Sequence, residues 1–192
     1  MQVVNTDNRL FLILRSLRAN QWIKNLVVFT AVIFSGELFN QPVLLQTMEA
    51  FFLFCLLSST SYVFNDIVDY PNDKKHPIKR FRPIASGRIS IQEATFTVFI
   101  LVIVSLVLAL LFSVQFFFIS LLFLVLHIVY SLYLKKHPII DIFTISLSFM
   151  IRAFAGVVAT GLAIPIWLMF TIFFGSLFVA TVKRDAELTA YG

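Results

Sequence analysis

Long apolar runs broken by short polar connections dominate this chain, and six of them reach the length a helix needs to cross about 30 Å of hydrocarbon. The pattern predicts spans at 23–39, 45–64, 94–112, 116–134, 139–160 and 164–182, the first interrupted by Ser35, Gly36 and Glu37. Ahead of them, Arg9 to Lys24 mixes Leu10, Phe11, Ile13, Leu14 and Leu17 with Arg15 and Arg18, the pattern of an amphipathic helix lying on a membrane face. The expected architecture is all-α: a multi-pass transmembrane helix bundle over 23–192, an N-terminal amphipathic segment over 1–22, and an acidic loop over 65–93.

Composition supports this reading. The chain is 59% hydrophobic and only 13% charged, with a mean hydropathy of +0.93, which excludes an ordinary soluble domain of 192 residues. The cations are placed unevenly. Arg9, Arg15, Arg18 and Lys24 precede span one; Lys74, Lys75, Lys79, Arg80, Arg82 and Arg88 separate spans two and three; Lys135 and Lys136 follow span four; Lys183 and Arg184 follow span six. The connections near 36–44, 113–115 and 161–165 carry none, so the positive-inside tendency predicts a cytoplasmic N-terminus and cytoplasmic clusters in a cell (inner) membrane. The net charge of +5 is then explained by topology and phosphate binding, without nucleic acid. Cys55 stands alone inside a span, which excludes a disulfide framework and a thiolate metal site.

The densest chemistry lies where span two leaves the bilayer. Asn65, Asp66, Asp69 and Asp73 are followed at once by Lys74, Lys75, Lys79, Arg80, Arg82 and Arg88. On a helix, Asp66, Asp69 and Asp73 share one face over about 10 Å of axis, although Pro71 predicts a kink or helix end there and Asp73 reaching in from a loop. Carboxylates at a helix C-terminus oppose the macrodipole and repel one another unless a cation sits between them. Mg²⁺ takes oxygen ligands, usually one or two carboxylates plus substrate phosphates, and neighbouring Lys and Arg neutralise the remaining phosphate charge. Asn65, Asp66, Asp69 and Asp73 are therefore the candidate metal ligands.

Other features leave alternatives open. Lys74-Lys75-His76-Pro77-Ile78 recurs as Lys135-Lys136-His137-Pro138-Ile139, either as an internal repeat or as two similar helix ends. Arg152 is the one charge deep inside a span; it is expected to face the bundle interior, as a buried ion pair or a phosphate contact. Asp141 is either a second acidic group of the site or a helix N-terminal residue. His76, His127 and His137 have no metal-ligand spacing and read as interface residues, and the many Phe residues of spans two to four line lipid, core or an isoprenoid groove.

The run Asn65-Asp66-x-x-Asp69-x-x-x-Asp73 resembles the first aspartate-rich motif of the UbiA superfamily of intramembrane prenyltransferases. Three further stretches are similar to its decaprenyl-phosphate phosphoribosyltransferase branch: Gln21-Trp22-x-Lys24-Asn25, His76-Pro77-x-Lys79-Arg80-x-Arg82-Pro83-Ile84-Ala85-x-Gly87, and Lys183-Arg184-x-Ala186-Glu187-Leu188. The second aspartate pair usual in the aromatic prenyltransferases is missing, since Asp185 and Glu187 are two apart. The superfamily has about nine membrane helices, and this sequence ends just beyond the sixth, so the resemblance implies a C-terminally truncated chain.

The resemblance implies Mg²⁺-dependent transfer of 5-phosphoribose from phosphoribosyl pyrophosphate to a polyprenyl phosphate, for cell-envelope polysaccharide precursors. It assigns Asp66, Asp69, Asp73 and Glu187 to the reaction centre. Lys79, Arg80 and Arg82 would bind donor phosphates. Lys24, Asn25, Lys135, Asp141, Arg152, Lys183 and Arg184 complete the expected substrate-binding set. Two rival readings remain: prenyl transfer from a prenyl diphosphate to an aromatic or glycerol-phosphate acceptor, and a non-enzymatic transport or assembly subunit.

Overall fold

A computed structural model describes residues 9–191, with no strand among them. Seven α-helices follow one another: α1 (Arg9–Ser16), α2 (Thr30–Phe34), α3 (Gln41–Asp73), α4 (Ile91–Phe112), α5 (Val114–Leu132), α6 (Pro138–Thr160) and α7 (Ile166–Tyr191). Five of them, α3 to α7, are long and apolar enough to cross a membrane.

The first expected span differs. Residues Ala19–Phe29 form a 3-10 segment that runs into the short α2, and the break between α1 and this segment falls at Arg18, whose φ of 53° is left-handed. A 3-10 run of this length is uncommon and marks local constraint. Two contacts supply it. The segment presses on α6 so closely that a Cβ at Gly156 would lie 2.0 Å from the Val28 carbonyl oxygen. Its Asn25 is spent on side chains of α3 and α6. The expected continuous amphipathic helix from Arg9 to Lys24 is thus cut to α1 alone, and residues 1–8 lie outside the described residues.

Helix α3 corrects a second expectation. Its 33 residues continue through Pro71 to Asp73, so Asp73 stands on the helix and not on a loop. At 1.5 Å per residue it is about 50 Å long, well beyond a 30 Å hydrocarbon layer, and its last turns carry the acidic residues past the apolar zone. The other ends follow simple rules. Helix α4 starts with a capping box in which the Ser90 hydroxyl accepts from the Glu93 amide and the Glu93 carboxylate accepts from the Ser90 amide. Helix α6 starts with Pro138 at its first turn and closes on Gly161 at φ 69°.

Two cores hold the bundle. Deep in it, Phe54 of α3 meets Phe116 and Phe123 of α5 edge-on at 5.8 and 5.1 Å, with Val28, Leu57, Ile151 and Ala155 around them. At the charged end, Leu12 of α1, Val63 of α3, Ile84 and Ile89 of the loop and Ala94 of α4 form a second cluster. Helices α4 and α7 are peripheral, with large side chains such as Phe96, Leu111, Phe170 and Phe178 exposed, as lipid-facing helices require.

Candidate functional site

The second core fixes the cations. Ile84 and Ile89 anchor the 74–90 loop under α1, and Arg88 donates to the Phe81 carbonyl at 2.9 Å, so the loop folds back over the end of α3. This brings Arg82, just after a 3-10 turn at Lys79–Phe81, against the acidic residues. Arg82 Nη1 lies 2.6 Å from Asp73 Oδ2 and 3.1 Å from Asp66 Oδ1. Arg18 Nη2 donates to the same Asp66 Oδ1, and its guanidinium lies 5.5 Å from the centroid of Tyr62. From the α5–α6 connection, Lys135 Nζ reaches Asp69 Oδ1 at 2.5 Å and Asn65 Oδ1 at 3.0 Å. Asn65 Nδ2 donates to Asp69 Oδ2 at 2.9 Å, which fixes the amide.

Three carboxylates therefore meet three cations drawn from three separated segments. Asp66 and Asp73 are buried and Asp69 is half-buried, so each pairing acts in a medium poorer than bulk water. Among the described residues no three acidic, His or Cys side chains converge as a ready metal cage. The donor set still suits Mg²⁺. It offers only hard oxygens, and Mg²⁺ needs one or two carboxylates when substrate phosphates fill its other positions.

The remaining expected residues divide. Lys79 and Arg80 are exposed outside the cluster, Arg80 lying 4.9 Å over its neighbour Phe81. Asp141 sits in the first turn of α6, accepts from the Tyr130 hydroxyl at 2.8 Å and lies 3.9 Å from Arg184 Nη1. It serves as a first-turn carboxylate and also ties α5 and α7 to α6. Arg184 Nε is buried without a hydrogen-bond partner. Arg152 is buried in the bundle, as expected, but its partners are Asn25 and Ser148 rather than a carboxylate. Lys183 lies on α7 with Lys24 in its field. The side chain of Glu187 lies outside the described residues.

One expectation is overturned in detail. His127 is not an interface residue: it is inside the bundle, 3.2 Å from Ser148 Oγ and packed on Phe123 at 4.3 Å between ring centroids. The two Lys-Lys-His-Pro-Ile runs do not fold alike. In the first, Lys74 covers Tyr70 and His76 Nδ1 accepts from the amides of Ile78 and Lys79; in the second, His137 stands at the N-cap position of α6 with no side-chain capping bond, and Lys135 turns back to Asp69. Sequence reasoning left Arg18 and Tyr62 out of the site. Arg18 was visible only as one cation among several, and its left-handed backbone has no signature in a non-glycine residue.

A bundle of apolar helices long enough to cross a membrane, with a protruding acidic helix end faced by fixed cations, defines a class: multi-pass membrane proteins with a charged cluster beyond the apolar zone. Residues 26–187 match the UbiA prenyltransferase family, and the chain belongs to it. It is 37% identical over 179 residues to the decaprenyl-phosphate phosphoribosyltransferase of Corynebacterium glutamicum, covering 91% of this chain and 54% of that one. It is 36% identical over 180 residues to the enzyme of the same name from Mycolicibacterium smegmatis, covering 92% and 57%. The chain thus spans a little over half the length of these relatives. A solved UbiA homologue from Archaeoglobus fulgidus, bound to GPP and Mg²⁺, superposes with a TM-score of 0.74 at 25% identity over 92% of this chain and 64% of that one.

Proposed function

We propose that this chain is the catalytic portion of a phosphoribosyltransferase that moves 5-phosphoribose from phosphoribosyl pyrophosphate to a polyprenyl phosphate and releases pyrophosphate, supplying a cell-envelope precursor. The observation that carries this reading is the charge-balanced cluster: Asp66, Asp69 and Asp73 held by Arg18, Arg82 and Lys135 at the protruding end of α3. The relatives' names and the matched family support it. The charged end faces the cytoplasm of a cell membrane in this reading, where a soluble sugar diphosphate is available.

A phosphate oxygen of the lipid attacks the anomeric carbon of the donor, and the bond from that carbon to the diphosphate breaks with its electron pair leaving on pyrophosphate. The nucleophile is already an anion, so positioning and charge stabilisation matter more than a base. Asn65, Asp66, Asp69 and Asp73 would hold Mg²⁺, which supplies neutralisation of the leaving diphosphate. Arg18, Arg82 and Lys135 stand where the diphosphate arrives; they exchange carboxylate partners for phosphate oxygens and fix the leaving group. Lys79 and Arg80, on the exposed outer side of the same loop, attract the donor rather than touch it. Glu187 keeps the role the likeness implies, holding a ribose hydroxyl.

The test is incubation of membranes containing the protein with labelled phosphoribosyl pyrophosphate. Label entering the lipid phase only with both polyprenyl phosphate and Mg²⁺ supports the reading. Transfer from prenyl diphosphate to an aromatic or glycerol-phosphate acceptor in a parallel reaction would replace it with the prenyltransferase reading.

A further inference from the structure

The chain breaks out of α1 at Arg18, a non-glycine residue at φ 53° and ψ 51°. An L-residue reaches this left-handed region at a cost, because its Cβ crowds the following carbonyl, and it stays there only where its surroundings over-determine it. Here the surroundings centre on one hydroxyl. Ser59 of α3 is 0% exposed; its Oγ donates to the Leu17 carbonyl at 3.0 Å and accepts from Trp22 Nε1 at 3.0 Å. One side chain of α3 thus holds the chain on both sides of Arg18. Its neighbour Ser58 adds a further tie, donating to Asn25 Oδ1 at 3.1 Å.

The turn decides where the guanidinium goes. Arg15, on the regular part of α1, is exposed, whereas Arg18 is half-buried and directed onto Asp66. Its landing places share a face of α3 with the clamp: Ser59, Tyr62 and Asp66 stand at i, i+3 and i+7, spanning about 10 Å of axis. Ser59 fixes the turn, the Tyr62 ring lies 5.5 Å from the guanidinium carbon, and Asp66 Oδ1 accepts from Nη2. Arg82 reaches the same oxygen from the 74–90 loop. A long side chain ordered in advance has less freedom to lose when an anion binds, so a held Arg18 meets a diphosphate more favourably than a free one.

We propose that Ser59 and Trp22 are positioning residues for the transfer: their mutual hydrogen bond, with the bond from Ser59 to Leu17, holds Arg18 in its left-handed turn and sets the guanidinium beside Asp66 before the donor arrives. This rests on the phosphoribosyltransferase reading for the diphosphate that Arg18 meets. Both residues act through Arg18, which separates their role from a purely structural one.

The experiment is a double-mutant cycle on the full chain in detergent micelles: wild type, Ser59→Ala, Arg18→Met and the pair. Removing the hydroxyl leaves the Trp22 N–H and the Leu17 carbonyl without this partner and lowers stability by itself, so the readout is the interaction between the two substitutions. Calorimetric binding of inorganic pyrophosphate with Mg²⁺, and kcat/KM for labelled phosphoribosyl pyrophosphate, are measured for each. Ser59→Ala is expected to weaken both about tenfold, as loss of an ordered charged hydrogen bond does. It should leave KM for polyprenyl phosphate unchanged and cost nothing further in the Arg18→Met background. Trp22→Phe keeps a ring, removes the N–H and carries the same prediction at a smaller loss, should Ser59→Ala not fold. An equal loss in both backgrounds makes the hydroxyl structural only and overturns the proposal while the reaction stands; so does undiminished binding in Ser59→Ala beside weakened binding in Arg18→Met. Pyrophosphate binding that follows the cycle without any label transfer keeps the positioning role and overturns the phosphoribosyl reading.

Discussion

Asp66 receives two guanidiniums on one oxygen, Arg18 and Arg82, and this makes it the residue whose charge the cluster can least spare. Asp66→Asn keeps the shape and removes the charge; transfer is expected to fall roughly 10²–10³-fold, the scale of losing one positioned electrostatic group. Label transfer measures this, and an unchanged rate would take Asp66 out of the reaction centre. The same geometry ranks the cations. Lys135→Met should cost far more activity than Lys79→Ala, because Lys135 touches Asp69 and Asn65 while Lys79 is exposed outside the cluster. The aspartates, Arg82 and Lys135 were legible in the sequence because charge beside an apolar run is conspicuous. Arg18 and His127 were not, since their partners lie on other segments and only the packed fold brings them together.

At the scale of elements, the closest approach in the bundle is the 3-10 segment against α6. Gly156→Ala would drive a Cβ into the Val28 carbonyl, a backbone atom that cannot swing aside, so a loss of about 1–3 kcal/mol or more is expected from overpacking. Gly175→Ala on α7 meets nothing within 4 Å and should leave stability unchanged or slightly higher. Unfolding of both variants in detergent checks the contrast. Helices α3 to α7 were readable from hydropathy, because each needs an unbroken apolar run. The first span was not, for its backbone is decided by what it leans on. Pro71 misled for a related reason: a proline near a helix end removes one hydrogen bond, and the packed and ion-paired turn carrying Asp66 and Asp73 continues through it.

Over the whole molecule, the ion pairs among the described residues gather at one end, from Arg9 with Glu93 to Arg184 with Asp141, and the opposite end presents Glu37 and the 161–165 connection. The proposed cytoplasmic placement of the charged end makes a direct prediction. In cells containing a Cys55→Ala background, a cysteine placed at Lys75 should resist a membrane-impermeant maleimide until the membrane is opened, and one placed at Glu37 should react from outside. Lys75 is exposed and Glu37 half-buried, so labelling of each is scaled to its labelling after the membrane is opened.

The central claim is that the acidic end of α3 grips a metal-bridged sugar diphosphate and presents it to an anionic lipid. It is tested most directly by labelled phosphoribosyl pyrophosphate supplied to membranes with the wild-type chain and with Asp69→Asn, each with and without Mg²⁺ and polyprenyl phosphate. The account predicts lipid-soluble label in the wild type alone, and only when both additions are made. Equal label from Asp69→Asn, or label that appears without the lipid phosphate, would contradict it.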